Sequence, residues 1–227
     1  MEFFDAVQNR RSVRKYTSAI VPPEVIDRAI DAALLAPNSS NMQTWRIFWV
    51  RDPKKKAPLV QACLNQGAAR TAQELLVFVA DPGTWKTSQK YVLEAFGSQP
   101  RKEIAYYYRW LIPMTYSWRI LAPIKWLIYN ATGFFRPIMR RPWSSRDIDE
   151  VCIKSTALAC ENFMLAISAQ GFDTCPMEGM DEARIRRILK LGCRARVVMV
   201  ISVGLRDEKG IWGNQYRIPR EIVVKTV

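Results

Sequence analysis

The run Arg10-Arg11-Ser12-Val13-Arg14-Lys15-Tyr16 crowds three guanidiniums and a hydroxyl into its first five residues. Guanidinium forks match phosphate oxygens in pairs and keep their charge at any working pH, so the run has the chemistry of a phosphate clamp. The same composition suits a solvated basic turn, and local composition alone does not separate the two. On the N-terminal side, residues 2–9 have the spacing of a short amphipathic helix. On the C-terminal side, Pro22-Pro23 opens a second helix, with Val25, Ile26, Ala29, Ile30, Ala33 and Leu34 at helical intervals and Pro37 as its stop.

Further outward, Pro37-Asn38-Ser39-Ser40-Asn41-Met42-Gln43-Thr44 is a polar loop, and the aromatic and branched residues of Trp45–Arg51 predict a strand. A helix around 56–65 and a buried strand at Leu75–Ala80 follow. Asp147 to Gln170 is the longest helical stretch, with Val151, Ser155, Leu158, Ala159, Asn162, Leu165, Ala166 and Ala169 forming a small-residue face that another helix can approach, and with Gly171 at its end. Thr174-Cys175-Pro176-Met177-Glu178-Gly179 reads as a turn between two helices and Asp181–Leu191 as a charged helix. Arg196–Val203 reads as a β-branched strand, and Ile218–Val227 as an extended tail able to pair with a sheet edge. Helices and strands interleave without an internal repeat, which predicts a single α+β or α/β domain.

Four segments, taken in order and spacing, carry a resemblance: Arg10–Arg14, Pro37–Trp45, Pro176–Gly179 and Tyr216-Arg217-Ile218-Pro219. Together they resemble the FMN-dependent nitroreductase family, which includes the flavin dehalogenases that deiodinate iodotyrosines. The likeness covers about residues 1–80 and 147–227. It implies one FMN-binding domain over 1–227, an α+β three-layer sandwich with a central mixed, mainly antiparallel sheet, interrupted by an insertion at about 83–146. It also implies a homodimer with FMN at the subunit interface. Arg10, Arg11, Ser12 and Arg14 would hold the ribityl phosphate and the pyrimidine edge, with Arg217 returning from the tail to the phosphate. Pro37, Asn38, Ser39 and Asn41 belong to the loop that would line the flavin from the neighbouring protomer. Asn65 resembles the residue that faces the pyrimidine, and Pro176, Met177, Glu178 and Gly179 would lie beside the ring, with backbone of Glu178 and Gly179 near N5. Asn38 stands where Ser is usual and Thr44 where Pro is frequent.

The activity so implied takes hydride from NAD(P)H and passes it to a nitroaromatic, quinone or related electron-poor, lipophilic small molecule in alternating half-reactions. No catalytic side chain and no metal ligand is assigned, because the flavin carries the chemistry. The same site also suits reductive dehalogenation or desaturation of a specific metabolite, or a membrane-associated flavin-binding protein without turnover. Absence of histidine from all 227 residues fits a cofactor enzyme: it excludes Ser/His and Cys/His nucleophile pairs, His-ligated zinc and an imidazole base. Hydrophobic residues at 49% and charged residues at 24% exclude a disordered chain. Five cysteines without a Cys-x-x-Cys pair argue against a disulfide framework or zinc knuckle and for small buried hydrophobes in a reducing compartment. Met1-Glu2-Phe3-Phe4-Asp5 lacks the basic and apolar runs of an export signal, so a cytoplasmic location is expected and the sequons at Asn38 and Asn130 read as chance.

Residues 101–146 have their own composition: nine basic residues against the single acid Glu103, and eleven of the chain's 25 aromatics, so that +8 of the net +13 lies here. The apolar pieces Trp110–Pro113, Ile120–Ile124, Trp126–Tyr129 and Phe134–Phe135 are each far shorter than the roughly 20 residues of a membrane span. Two readings remain: a substrate lid or dimer arm with its aromatics buried in protein, and a basic amphipathic element resting on an anionic membrane, peripheral at its inner face. No nucleic-acid partner is expected, since no recognisable module accompanies the charge.

Overall fold

The computed structural model describes residues 1–117 and 121–227. Arg119 and the first residue of the Ile120–Ile124 piece lie outside the described residues. The helices are α1 (Phe3–Asn9), α2 (Pro23–Leu34), α3 (Pro53–Ala62), α4 (Gly67–Thr71), α5 (Trp85–Ala95), α6 (Lys102–Tyr106), α7 (Ile112–Ser117), α8 (Ala122–Phe135), α9 (Ser145–Ala169), α10 (Glu182–Ile188) and α11 (Arg220–Val223). A π-turn at Tyr107–Leu111 joins α6 to α7.

The sheet is built around two strands that are apolar at nearly every position. β2 (Glu74–Ala80) and β4 (Arg196–Gly204) pair in the centre, β1 (Trp45–Trp49) and β3 (Asp173–Met177) form the edges, and the order is β1-β2-β4-β3 with every pair antiparallel. Successive side chains of a strand point to opposite faces. Leu75, Val77 and Val79 of β2 accordingly enter one core with Leu59, Ala62, Ala69 and Ile185, while Leu76 and Phe78 enter another with Ile26, Ala29, Phe163 and Ile167. The result is three layers: α2 and α9 on one face, α3, α4 and α10 on the other.

α9 is defined at both ends by its sequence. Ser144 Oγ accepts from the Asp147 N–H while the Asp147 carboxylate accepts from the Ser144 N–H, a capping box. Gly171, at φ +83°, supplies the left-handed residue that ends the helix. The buried stripe runs through Cys152, Thr156, Ala159, Cys160, Phe163 and Ile167, which differs from the expected small-residue face. Asn162 of that face does meet α2, donating to the Ala32 carbonyl at 3.1 Å, but Leu158 is left 47% exposed.

Four expectations need correction. The 174–179 segment is not a turn between helices: its first four residues complete β3, and the proline is tolerated because β3 is an edge strand. Among the described residues the sheet is antiparallel throughout rather than mixed, and the parallel geometry there is the bridge between Ser12 and Thr174. Among the described residues the C-terminal tail pairs with no strand of its own chain, and Arg220–Val223 within it form the short exposed helix α11. Within the insertion the apolar pieces are not separate: Pro123 lies in the first turn of α8, where proline fits, and Trp126–Tyr129 and Phe134–Phe135 share that one helix. The expected helices at 56–65 and 181–191 are placed at Pro53–Ala62 and Glu182–Ile188, each opened by an aspartate, Asp52 or Asp181, that accepts a backbone N–H.

The insertion adds a third core. Tyr108, Ile112, Tyr116, Trp85 and Val92 pack on Ile148 and Cys152 at the N-terminal end of α9. Among the described residues one helix, Ser145–Ala169, is long and apolar enough to cross a membrane, and half of that apolar window is buried in the fold.

Candidate functional site

The basic run is held by its apolar members. Val13 and Tyr16 are buried, and the Tyr16 hydroxyl lies 2.9 Å from Ser202 Oγ in the core. The Val13 N–H donates to the Thr174 carbonyl at 3.0 Å, the Arg14 N–H to Gly210 at 2.8 Å and the Tyr16 N–H to Thr71 Oγ1 at 3.0 Å. These anchors leave the arginine side chains to line a pocket of about 320 Å³ formed by Arg10, Arg11, Ser12 and Arg14 with Trp212, Asn214, Gln215, Tyr216 and Arg217.

No carboxylate lines this pocket. Arg10 lies 3.9 Å from Glu161 of α9, whereas Arg11, Arg14 and Arg217 make no ion pair among the described residues. Each of the three is instead oriented by a neighbour: Arg14 stacks over the Trp212 ring at 4.7 Å, Arg11 donates to the Gly213 carbonyl at 2.9 Å and Arg217 to the Tyr216 carbonyl at 2.8 Å. Burial raises the Cys175 thiol pKa, and the charges of Arg14 and Arg10 pull it back. Oriented guanidiniums without a facing carboxylate have the chemistry to hold an anion.

A second piece joins this one through glycine. A Cβ on Gly67 would stand 2.8 Å from the Arg14 carbonyl oxygen, so the turn that carries Asn65 touches the clamp only because residue 67 has no side chain. Leu64 and Asn65 are left-handed, at φ +59° and +52°. Gln66 then donates to the Gly179 carbonyl at 2.6 Å, and the Asp181 N–H to Ala62 at 2.7 Å. These two bonds tie the turn that carries Asn65 to the segment after β3, where Glu178 and Gly179 lie, and β3 itself carries Pro176 and Met177. Met177, the last residue of β3, is buried in the core on one face of the sheet, while Glu178 and Gly179 are exposed.

Pro37, Asn38, Ser39 and Asn41 do not line the arginine pocket of their own chain. Their loop is tightly wound, with Ser40, Asn41 and Gln43 all left-handed. Asn38 Oδ1 accepts from the Gln43 N–H at 2.9 Å and so closes the loop, a reach that the shorter serine lacks. The Thr44 side chain hydrogen-bonds the Cys152 thiol, an interaction that proline would not provide. The Ser39 N–H donates to Ser155 Oγ on α9 at 3.3 Å. From the insertion, the Tyr108 hydroxyl donates to the Ser40 carbonyl at 2.8 Å and Tyr107 meets Ser40 Oγ at 2.5 Å.

Beside that loop lies an apolar cavity of about 300 Å³ whose walls include Ser39, Ser40, Tyr107, Ile112, Tyr116, Tyr129, Met139 and Ile148, with no charged residue among them. A larger open depression of about 570 Å³ between α2, β1 and α5 includes Asn41 and Gln43 but none of the arginines. The roles of Trp212, Gln66 and the three tyrosines were not read from sequence. Of these, only Trp212-Gly213-Asn214, a turn-forming stretch just ahead of Arg217, carried a local signal.

The Nitroreductase family model matches residues 7–205. Protein DrgA of Synechocystis sp. is 29% identical over 212 residues, covering 92% of this chain and 86% of that protein. A protein named NADH dehydrogenase from Thermus thermophilus is 28% identical over 219 residues, covering 96% and 93%. A solved FMN complex from Exiguobacterium sibiricum has the same fold, with a TM-score of 0.73 at 22% identity, and covers 100% of this chain and 98% of that one. With a family match that spans almost the whole sheet and both helical layers, from within α1 to just past β4, the chain belongs to the Nitroreductase family.

Proposed function

We propose that the protein is an FMN-dependent oxidoreductase that takes reducing equivalents from NAD(P)H and delivers them to a nitroaromatic, a quinone or a related electron-poor acceptor in a ping-pong cycle. The observation that carries this reading is the convergence of Arg10, Arg11, Arg14 and Arg217 on one pocket without a facing carboxylate. That donor set fits a phosphate monoester, and the adjoining Asn65 and Glu178–Gly179 backbone offers polar groups to a flat heterocycle. Bound FMN supplies hydride acceptance from the nicotinamide and hydride donation to the acceptor. Arg10, Arg11, Ser12 and Arg217 would hold the phosphate, and Arg14, kept in place by Trp212, would offset negative charge on the reduced ring.

The Pro37–Asn41 loop completes the site in this reading by reaching a neighbouring protomer, so a homodimer is part of the proposal. The uncharged cavity beside Ser39 and Ser40 suits a lipophilic acceptor, since it offers apolar walls and tyrosine hydroxyls but no charge. Purified protein is expected to take up FMN and to be bleached anaerobically by NADH or NADPH, with menadione restoring the oxidised spectrum. A protein that takes up no FMN, or whose bound FMN neither nucleotide bleaches, refutes the proposal.

A further inference from the structure

Helix α8 is turned inside out. Its inward stripe is Lys125, Tyr129 and Thr132, with Lys125 only 7% exposed and its Nζ donating to the Met114 carbonyl at 2.5 Å. Its outward stripe is Ile124, Leu127, Ile128 and Phe135, flanked by Trp126 and Phe134; Phe134 and Phe135 are 84% and 85% exposed. Apolar residues at i, i+3, i+4 and i+11 on a water-facing surface, with a lysine beneath, reverse the arrangement of a surface helix. A contiguous exposed apolar face of this kind marks a contact surface.

The charges around the face select what it contacts. Arg136, which follows α8 directly, is exposed and makes no ion pair among the described residues. Arg140 caps the C-terminal end of α8 through the Gly133 carbonyl at 2.8 Å while remaining exposed. Glu103 is the single acid of residues 101–146. A second copy is a poor partner, because an isologous contact would set this basic surface against itself. The fourteen residues of α8 make a rod of roughly 21 Å, too short to span a bilayer and suited to lying in its surface. Tryptophan, phenylalanine and tyrosine with flanking arginine is the composition that settles at the headgroup boundary.

We infer that α8 is a bilayer-docking helix that inserts Ile124, Leu127, Ile128 and Phe135 into the surface of an anionic membrane while Arg136 and Arg140 meet the lipid phosphates. Tyr129, on the inner side of the same helix, lines the apolar cavity beside Ser39 and Ser40, so docking would set that cavity next to the phase in which lipophilic acceptors dissolve. The docking itself is independent of the flavin reading.

The test is co-sedimentation of the full-length protein with vesicles of phosphatidylglycerol and phosphatidylcholine in equal parts, and with phosphatidylcholine alone. Sedimentation is expected with the anionic vesicles, falling as salt rises from about 0.1 M to about 0.5 M. The pair Leu127→Gln and Ile128→Gln should weaken it roughly tenfold or more, and Arg136→Gln should weaken it less and flatten the salt dependence. All three side chains face outward, so unchanged circular dichroism is expected, and Arg136→Gln tests the surface even where the double variant misfolds. No sedimentation at low salt, equal binding of the parent and both variants, or equal binding to both vesicle types overturns the inference. So does sedimentation velocity in which the double variant dissociates an oligomer while the parent ignores vesicles, which would make the face a contact between copies.

Discussion

The side-chain amide of Gln66 donates to the carbonyl oxygen of Gly179 at 2.6 Å, joining the turn after α3 to the segment after β3. Asn65 and Glu178 flank the two partners, so one hydrogen bond sets the spacing of two stretches proposed to border the flavin ring. Gln66→Leu removes that donor at an exposed position where the carbonyl can turn to water, and global stability should change by less than about 1 kcal/mol. FMN affinity should fall several-fold, with a larger loss in the rate of flavin reduction by NAD(P)H. Unchanged affinity and rate in stopped-flow traces would separate Gln66 from the site.

Arg217 reaches the arginine pocket from the tail and spends one donor on the Tyr216 carbonyl, leaving the rest of its fork free. A hydrogen bond to a charged group contributes about 1.5–3 kcal/mol, so Arg217→Ala should raise the FMN dissociation constant roughly tenfold to a hundredfold. Riboflavin, which lacks the phosphate, should bind parent and variant alike. Equal loss for both ligands in a fluorescence titration would place Arg217 away from the phosphate.

Gly210 is required by space rather than by backbone angle. A Cβ there would come within 2.3 Å of the Lys15 carbonyl oxygen, and the Gly210 carbonyl accepts the Arg14 N–H. Gly210→Ala should therefore displace the backbone that presents Arg14, costing about 1–3 kcal/mol in thermal unfolding and weakening FMN binding as well. Gly192→Ala is the control, since a Cβ there meets nothing within 4 Å.

Elements with strong local signals were legible in the sequence. β2 and β4 are runs of apolar residues that only a strand buried on both faces requires, and α9 has its C-terminal end written as Gly171, while its start, expected at Asp147, lies two residues earlier behind the Ser144 cap. Arg10, Arg11, Ser12, Arg14 and Arg217, expected to act together, line one pocket in the fold across more than two hundred residues. What stayed hidden depends on tertiary placement. Pro176 and Gly179 look like turn residues, yet whether Pro176 sits in a strand depends on β3 being at an edge, which no local window contains. Lys125 marks α8 as interrupted when read for apolar length, because nothing local says that its ammonium points inward. The Gln66 contact to Gly179 joins residues far apart in sequence and carries no motif.

The start of α9 gives a prediction in acid. Burial pushes the Asp147 carboxyl up, but hydrogen bonds from the Ser144 side chain and the Ser144 and Trp143 backbone, with the charge of Arg141, outweigh it, and the net shift is below the ordinary carboxylate value of 3.8. A depressed folded-state value means that the stabilisation is complete above the unfolded value and is lost as pH falls through the folded one. Asp147→Asn should cost about 1 kcal/mol at neutral pH, as loss of a cap does, and the gap between parent and variant should narrow below about pH 4. Melting temperatures that stay equally separated from neutral pH to pH 3 would refute this.

Lys125 makes the opposite case, a buried charge that opposes folding. Among the described residues its Nζ donates to a single backbone carbonyl, that of Met114, and burial lowers its pKa from the ordinary 10.5. Lys125→Met keeps the stem and removes the charge, so at neutral pH it should stabilise by about 1 kcal/mol, in line with apolar replacement of buried ionic groups. The sign of the pH effect follows from proton counts. Between the lowered folded value and 10.5 the unfolded chain binds more protons than the folded one, so the parent gains stability as pH rises through that window while the methionine variant does not. The advantage of Lys125→Met should therefore shrink toward alkaline pH. A variant that is less stable than the parent at neutral pH would show that the Met114 hydrogen bond outweighs the cost of burying the ammonium, and with it that the inward lysine holds α8 in its inverted orientation.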